Sequence, residues 1–304
     1  MREGFKSAII ERARLDSSFH VLTGDHGYQL FDEFSLMYPD RFHNVGVAEA
    51  NLVGLAAGMA RNGITPLIYG LAAFIPNRVF EFIKLQIAAE GLPVTMVGDG
   101  AGLVYSTLGI SHQTLEDLAI IGSLGSVHSI APGSAKEMQT AVHWAGVSRV
   151  PTYIRMGKSG GVYEGASPNS EPSPHLAYDS QNSGNRKAIV AHGSMMSSAL
   201  ELAKAFNESF DVWSCPTISP ISSSFIAELS RRYGQIAVLE EHGVHGGLGS
   251  KILLGLANTA STVHLVGSEL EQDRTTGTWE WSLHLHGLSQ ERILQRLQAI
   301  GFLG

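Results

Sequence analysis

Short apolar runs alternate with helix-spaced apolar patterns along nearly the whole chain, and this constrains the fold more than any other feature. A helix that packs back on the sheet delivers the next strand parallel to the first, so such a series builds an open, mostly parallel sheet flanked by helices. Phe5, Ala8, Ile9 and Ala13 predict a helix over 4–15, and residues 19–23 read as a strand ending at Gly24. A helix is expected over 47–60, stopped by Asn62-Gly63, then a strand over 66–69, a helix over 74–89 and a strand over 93–97. A short helix over 115–121, a strand over 127–130, a helix over 135–145 and a strand over 152–155 complete this series.

The alternation breaks once. Residues 157–185 are rich in Gly, Ser, Pro and Asn and poor in apolar side chains, which reads as a linker. A second α/β series follows, from the strand-like AIVAH at 188–192 to a closing helix at 290–300. The expected division is therefore a first domain over 1–160, a linker over 161–185 and a second domain over 186–304. A length of 304 residues suits two domains. Charged residues make up only 16% and glycines number 34, which leans towards a chain that buries area against partners. A net charge of -7 with scattered basic residues argues against nucleic acid. Cys215 is the single cysteine, so neither an internal disulfide nor a cysteine metal site can form. No apolar run reaches the roughly 18 residues that span a bilayer, and MREGFKSAII lacks the pattern of a signal peptide. A cytoplasmic protein is expected.

Four elements could carry chemistry. The segment VAEANLVGLAAGMA, 47–60, is apolar on nearly every face, which predicts a buried helix whose one ionisable group is Glu49. Glu49 could simply favour the helix dipole. In apolar surroundings it must instead be paired or kept protonated, which suits proton transfer. Gly98-Asp99-Gly100 invites the thiamine-diphosphate signature, in which GDG is followed some 30 residues later by an asparagine that also serves Mg²⁺. No asparagine lies between Asn77 and Asn169, so these residues read as a strand-to-loop turn, and the magnesium and diphosphate ligands are not evident in this chain. In GISHQTLEDLA, 109–119, Ser111 is expected to cap a helix and His112 to sit at a loop mouth, near where open α/β sheets bind ligands. A lone histidine is more often structural. Glu240, Glu241 and His242 precede a glycine-rich turn and are expected at an interface.

Taken together, the segments resemble the transketolase family. The matching stretches are TGDHG at 23–27, DRFHNVGVAEANLVGLAAGMA at 40–60, PLIYGLAAFIPNRVFEFIK at 66–84, GISHQTLEDLA at 109–119, SVHSIAPGSAKEM at 126–138, PTYIRMGKS at 151–159 and AVLEEHGVHGGLGS at 237–250. They cover the whole chain in order and correspond to the pyrimidine-binding and C-terminal domains, without the diphosphate-binding domain. The resemblance implies thiamine diphosphate and Mg²⁺ as cofactors. It also implies an N-terminal, diphosphate-binding partner subunit, an α₂β₂ assembly, and transfer of a two-carbon ketol unit from a ketose to an aldehyde.

Residue by residue, Glu49 looks like the glutamate that bonds the aminopyrimidine ring, and Phe74 like the aromatic that stacks on it. Asp25 resembles an acidic residue near the cofactor. His112 resembles a catalytic histidine beside the transferred group, and Arg155 an arginine that binds a substrate phosphate. Three positions depart from the sugar-phosphate pattern: Leu108 replaces an aspartate, Gly98 a histidine and Gln29 a serine. These departures put the usual pentose phosphates in doubt. The alternatives are the beta-type chain of a 2-oxoacid decarboxylase or dehydrogenase, a relative of deoxyxylulose-phosphate synthase, or a non-catalytic scaffold. The HQTLEDLA stretch and the joint presence of Glu49, Phe74 and His112 favour the transketolase reading.

Overall fold

The computed structural model describes residues 1–158, 170–181, 186–206, 209–269 and 274–303. The first half runs α1 (Arg2–Leu15), β1 (Phe19–Thr23), α2 (Asp32–Met37), β2 (Phe42–Asn44), α3 (Glu49–Arg61), β3 (Thr65–Leu71), α4 (Phe80–Ile83), β4 (Thr95–Asp99), α5 (Asp117–Gly122), β5 (His128–Ile130), α6 (Ala135–Ser148) and β6 (Thr152–Met156). The second half runs β7 (His175–Tyr178), β8 (Lys187–Ala191), α7 (Met195–Ala205), β9 (Asp211–Ser214), β10 (Thr217–Ser219), α8 (Ser223–Arg232), β11 (Gln235–Gly243), α9 (Leu248–Gly255), β12 (Thr262–Ser268), α10 (Trp279–Leu285) and α11 (Gln290–Ala299).

Two sheets result, ordered β10-β5-β6-β4-β3-β1-β2 and β12-β11-β8-β9-β7. Every pairing is parallel except β10 on β5 and β7 on β9, both at sheet edges. The fold is therefore α/β with two mostly parallel sheets, as the alternating pattern requires. Side chains leave a strand on alternate faces, and the core follows that period. Val21, Leu67, Val97 and Ile154 face α1 and α6, where they meet Phe5, Ile9, Met138 and Val142. Leu22, Ile68, Met96 and Tyr153 face the other way, against Leu52, Val53 and Ala56 of α3. That second cluster continues into Val190, Trp213, Ile236 and Val238 of the other sheet, so the two halves share a core.

The halves are also stitched by hydrogen bonds. The strand β10, from the second half, adds to the edge of the first sheet, pairing Thr217 with Ile130 and Ser219 with Ser129. Ser134 caps α6 by accepting from Glu137 N, while Gly133 N donates to Glu137 Oε2 at 2.6 Å. This is a near relative of the capping box. The same glutamate accepts from Ser214 Oγ at 2.6 Å across the boundary.

Several local expectations need correction. Much of the expected linker, 161–185, lies outside the described residues, but 175–178 form a strand that pairs with β9. The helix expected over 74–89 is broken into a 3-10 turn at Asn77–Val79, the single turn α4 and a π-helical stretch at Lys84–Ala88. Asp99 is the last residue of β4 rather than part of a turn, and only Gly100 turns, with φ of 68°. The helix α3 is not buried all round. Leu55 is 40% exposed and the preceding Val47 72%, and nearby Leu85 is 57% exposed, so an apolar face stays open in the single chain. Among the described residues, no helix is long and apolar enough to cross a membrane.

Candidate active site

The parallel strands β1, β3, β4 and β6 all end at one edge of the larger sheet, the edge where open α/β sheets hold ligands. The candidate residues gather on the loops that leave it. Glu49 opens α3 without a side-chain cap and is only 7% exposed. Both of its carboxylate oxygens lie 3.0 Å from Nη1 of Arg78. The Arg78 guanidinium sits 3.9 Å above the centre of the Phe74 ring. The Phe74 ring meets His112 edge-on, with ring centres 5.3 Å apart and planes at 63°. Three of the residues singled out in the sequence, Glu49, Phe74 and His112, thus fall in one cluster, with Arg78 as the link.

Two loops support it. Asn77, next to Arg78, donates to Glu116 Oε1, and Glu116 Oε2 accepts from Leu115 N at 2.7 Å. These bonds tie the loop after β3 to the loop that carries His112. Ser111 does not cap a helix. It bonds His112 Nδ1 at 2.9 Å instead, and α5 starts only at Asp117. On the loop after β1, Asp25 is exposed with φ of 61°, a conformation that aspartate tolerates better than most residues. A reciprocal pair of 3.0 Å hydrogen bonds with the Asn44 side chain holds it there. Gln29 is exposed on the same loop with φ of 57°, and Leu108 is 55% exposed on the loop before His112.

Asp99 anchors a second group. Its Oδ2 accepts from Tyr105 Oη at 3.1 Å and lies 2.9 Å from His26 Nε2. His26 stacks on Tyr69, with ring centres 5.6 Å apart. Burial, with the Asp99 charge adding to it, pushes the Tyr105 hydroxyl up to about 12, so it stays a neutral donor. Asp99 and Tyr105 line a cavity of about 270 Å³ that also takes in Arg2, Met156 and Lys158. Its two basic side chains, Lys158, paired with Glu280 at 3.2 Å, and Arg2, which donates to the Tyr28 carbonyl at 2.9 Å, do not stand out in the sequence.

Two of the expected substrate contacts are engaged elsewhere in the fold. Arg155 is only 3% exposed. Its Nε bonds both oxygens of Asp117 at 3.0 and 2.9 Å, and its Nη2 donates to the carbonyls of Thr114 and Glu241. Nε and Nη2 thus serve the packing of Asp117, Thr114 and Glu241 at the junction between the halves. Gly98 leaves no space where a histidine would stand, because a Cβ there would collide with the Tyr153 hydroxyl, which itself bonds Asp117 at 2.8 Å.

Glu240, Glu241 and His242 are at most 1% exposed, so they face no external partner. Glu240 accepts from Leu248 N and Gly249 N at the start of α9. Glu241 accepts from Leu103 N at 2.7 Å across the halves, and from Trp279 Nε1 at 3.0 Å and Ser194 Oγ within its own half. No group of three or more His, Cys, Asp or Glu side chains able to hold a metal ion occurs among the described residues.

An open α/β sheet whose strand-end edge joins a carboxylate, an aromatic ring and a histidine, with a second α/β unit docked on it, defines a two-unit α/β protein with a candidate ligand site. Residues 1–161 match the transketolase pyrimidine-binding domain, and residues 178–270 match the transketolase C-terminal domain. The chain belongs to the transketolase family. It is 30% identical to the 1-deoxy-D-xylulose-5-phosphate synthase of Clostridium beijerinckii over 72% of its own length, but covers only 35% of that enzyme. With one of the subunits of the apulose-4-phosphate transketolase of Phocaeicola vulgatus it shares 26% identity, over 96% of this chain and 94% of the relative. The structure described as a split gene transketolase, inactive beta4 tetramer, superposes with a TM-score of 0.84 at 30% identity, covering 98% of this chain and 96% of that one.

Proposed function

We propose that this chain is the pyrimidine-binding and C-terminal half of a split transketolase-like enzyme that moves a two-carbon ketol unit from a ketose to an aldehyde. The observation that carries this reading is the joining of Glu49, Phe74 and His112 at the strand-end edge. The aminopyrimidine end of thiamine diphosphate fits this cluster. Glu49 offers a carboxyl to a ring nitrogen, Phe74 offers a stacking face, and Asp25 stands on the neighbouring loop. When bound, the cofactor supplies the electron sink that lets the bond beside a carbonyl break. Glu49 holds a proton at the ring, and His112 is placed to move one at the transferred group.

Among the described residues no group of His, Cys, Asp or Glu side chains could hold Mg²⁺, and the metal with the diphosphate bound to it is assigned to a partner chain. The proposed N-terminal partner supplies that half, in an α₂β₂ assembly. The open apolar face of Val47, Leu55 and Leu85 supports a partner there. Calorimetry tests this division. The isolated chain is expected to bind thiamine diphosphate with Mg²⁺ weakly, and the reconstituted complex tightly. Tight, stoichiometric, magnesium-dependent binding by the chain alone would place the missing ligands here.

On the substrate side, the cavity lined by Arg2, Lys158, Asp99 and Tyr105 supports an anion contact there, with Lys158 exchanging Glu280 for the anion and Asp99 and Tyr105 as partners for hydroxyls. Leu108 offers no acceptor to a substrate hydroxyl placed against it, unlike the aspartate of the sugar-phosphate pattern. The reconstituted complex is therefore expected to cleave a ketose donor other than xylulose 5-phosphate, and to leave 2-oxoacids undecarboxylated. The measurement is kcat/KM over phosphorylated and unphosphorylated ketoses, aldehydes and 2-oxoacids. A value near 10⁴ M⁻¹s⁻¹ or above for the ordinary pentose phosphates, ordinary for enzymes, would overturn the substrate assignment. Faster turnover of 2-oxoacids would overturn ketol transfer.

A further inference from the structure

We infer that Arg78 is a positioning residue that occupies the place of the cofactor's aminopyrimidine ring, holding Glu49 until the ring displaces it. This rests on the proposed roles of Glu49 and Phe74. One guanidinium makes both of the contacts that those roles reserve for the ring. Its Nη1 lies 3.0 Å from each oxygen of Glu49, and its centre lies 3.9 Å from the centre of the Phe74 ring. Guanidinium is planar and delocalised, with N–H donors in its plane and a face that stacks on aromatics, so it can mimic a flat aminated heterocycle. Because it reaches Glu49, it covers the face of Phe74 turned towards Glu49. A ring bonded to Glu49 would stack on that same face, so the two occupants exclude each other.

The arrangement has a physical reason and a way out. A carboxylate as enclosed as Glu49 is costly to leave unpaired. Before the cofactor arrives, Arg78 satisfies it and fixes its orientation at the head of α3. The Arg78 side chain is itself 49% exposed, so it can swing into water without a large desolvation change. It projects from the 3-10 turn Asn77–Val79, and Asn77 stays anchored on Glu116, so the arginine can leave while its turn remains. Binding then requires a competent form in which Arg78 has left, and apparent affinity falls in proportion to the scarcity of that form.

The test compares wild type, Arg78→Ala and Arg78→Lys, each reconstituted with the partner chain. Calorimetry gives the affinity for thiamine diphosphate with Mg²⁺, and stopped-flow fluorescence gives the association rate. Arg78→Ala is expected to bind about tenfold tighter and faster, the gain if the competent form is roughly a tenth of the population. Arg78→Lys should fall between, since it keeps the charge and loses the planar stack, and it carries the test if the alanine variant does not fold. A merely structural arginine would give equal or weaker binding in both variants, which overturns the inference and leaves the cofactor assignment standing. A cofactor-bound crystal structure with Arg78 still on Glu49 and Phe74 overturns it as well. If neither wild type nor variants bind the cofactor, the reading of the site fails and the inference fails with it.

Discussion

Glu49→Gln in the reconstituted enzyme is expected to slow hydrogen exchange at the cofactor's C2 by about 10²–10⁴-fold, the usual worth of a positioned acid or base. Turnover should fall with it, and the fold should change little. Glutamine keeps the volume and the planar head at the start of α3, so Leu52, Val53 and Ala56 remain packed beneath it. It loses the exchangeable carboxyl proton, and it loses the charge that meets Arg78. Exchange and turnover test different links. Exchange reports activation of the cofactor alone, before any substrate is present. If turnover falls while exchange keeps the wild-type rate, Glu49 acts on substrate or assembly rather than on the cofactor, and its assignment is lost.

Much of the fold is legible in the sequence because its strands are short, apolar and well punctuated. The strand expected over 19–23 matches to the residue, and the strand expected over 152–155 runs one residue further. What leaves no mark in the sequence is short or polar. The strands β2, β7 and β10 have only three or four residues, and β7 is half-buried throughout at a sheet edge, so no apolar run reveals it. The segment over 74–89 reads as one regular helix because helical periodicity does not distinguish an α-helix from 3-10 and π turns joined in series.

The site is legible where a residue is anomalous in its own surroundings. Glu49 is the one acidic residue in an apolar helix, and it is buried and paired. Arg78 leaves no such signal, because an arginine in a mixed segment reads as a solvated face, and only the folded chain lays it over Phe74. Arg2 and Lys158 are equally silent, since they come together only through the sheet. Gly98 and Arg155 fail in the opposite way. A resemblance gives them positions facing a substrate, but the volume beside Gly98 is filled by Tyr153, and Nε and Nη2 of Arg155 are engaged by Asp117 and two carbonyls. Family position carries over a backbone location, not the direction in which a side chain points.

That difference can be measured. Arg155→Met keeps much of the length and apolar stem of the side chain and removes the charge. It leaves the fully buried Asp117 with the Tyr153 hydroxyl at 2.8 Å, and with His242 Nε2 further off at 3.7 Å. It also removes a donor from the Thr114 carbonyl and, across the two halves, from the Glu241 carbonyl. Breaking a buried pair by removing one partner costs about 3–5 kcal/mol. At roughly 2–4 °C per kcal/mol for a chain of this class, the melting temperature should drop on the order of 10 °C. Pairing at the same site predicts a second result: Asp117→Asn should also destabilise, because it strands the arginine charge, and the double variant should cost less than the sum of the two. An arginine reserved for substrate phosphate would behave otherwise. Its loss would leave the melting temperature close to wild type and raise KM for phosphorylated substrates selectively over unphosphorylated ones. Thermal denaturation of the three variants, with KM measured well below their melting temperatures, separates the cases. A stable Arg155→Met protein with a selective rise in KM would return Arg155 to the substrate and remove Lys158 and Arg2 as its replacements.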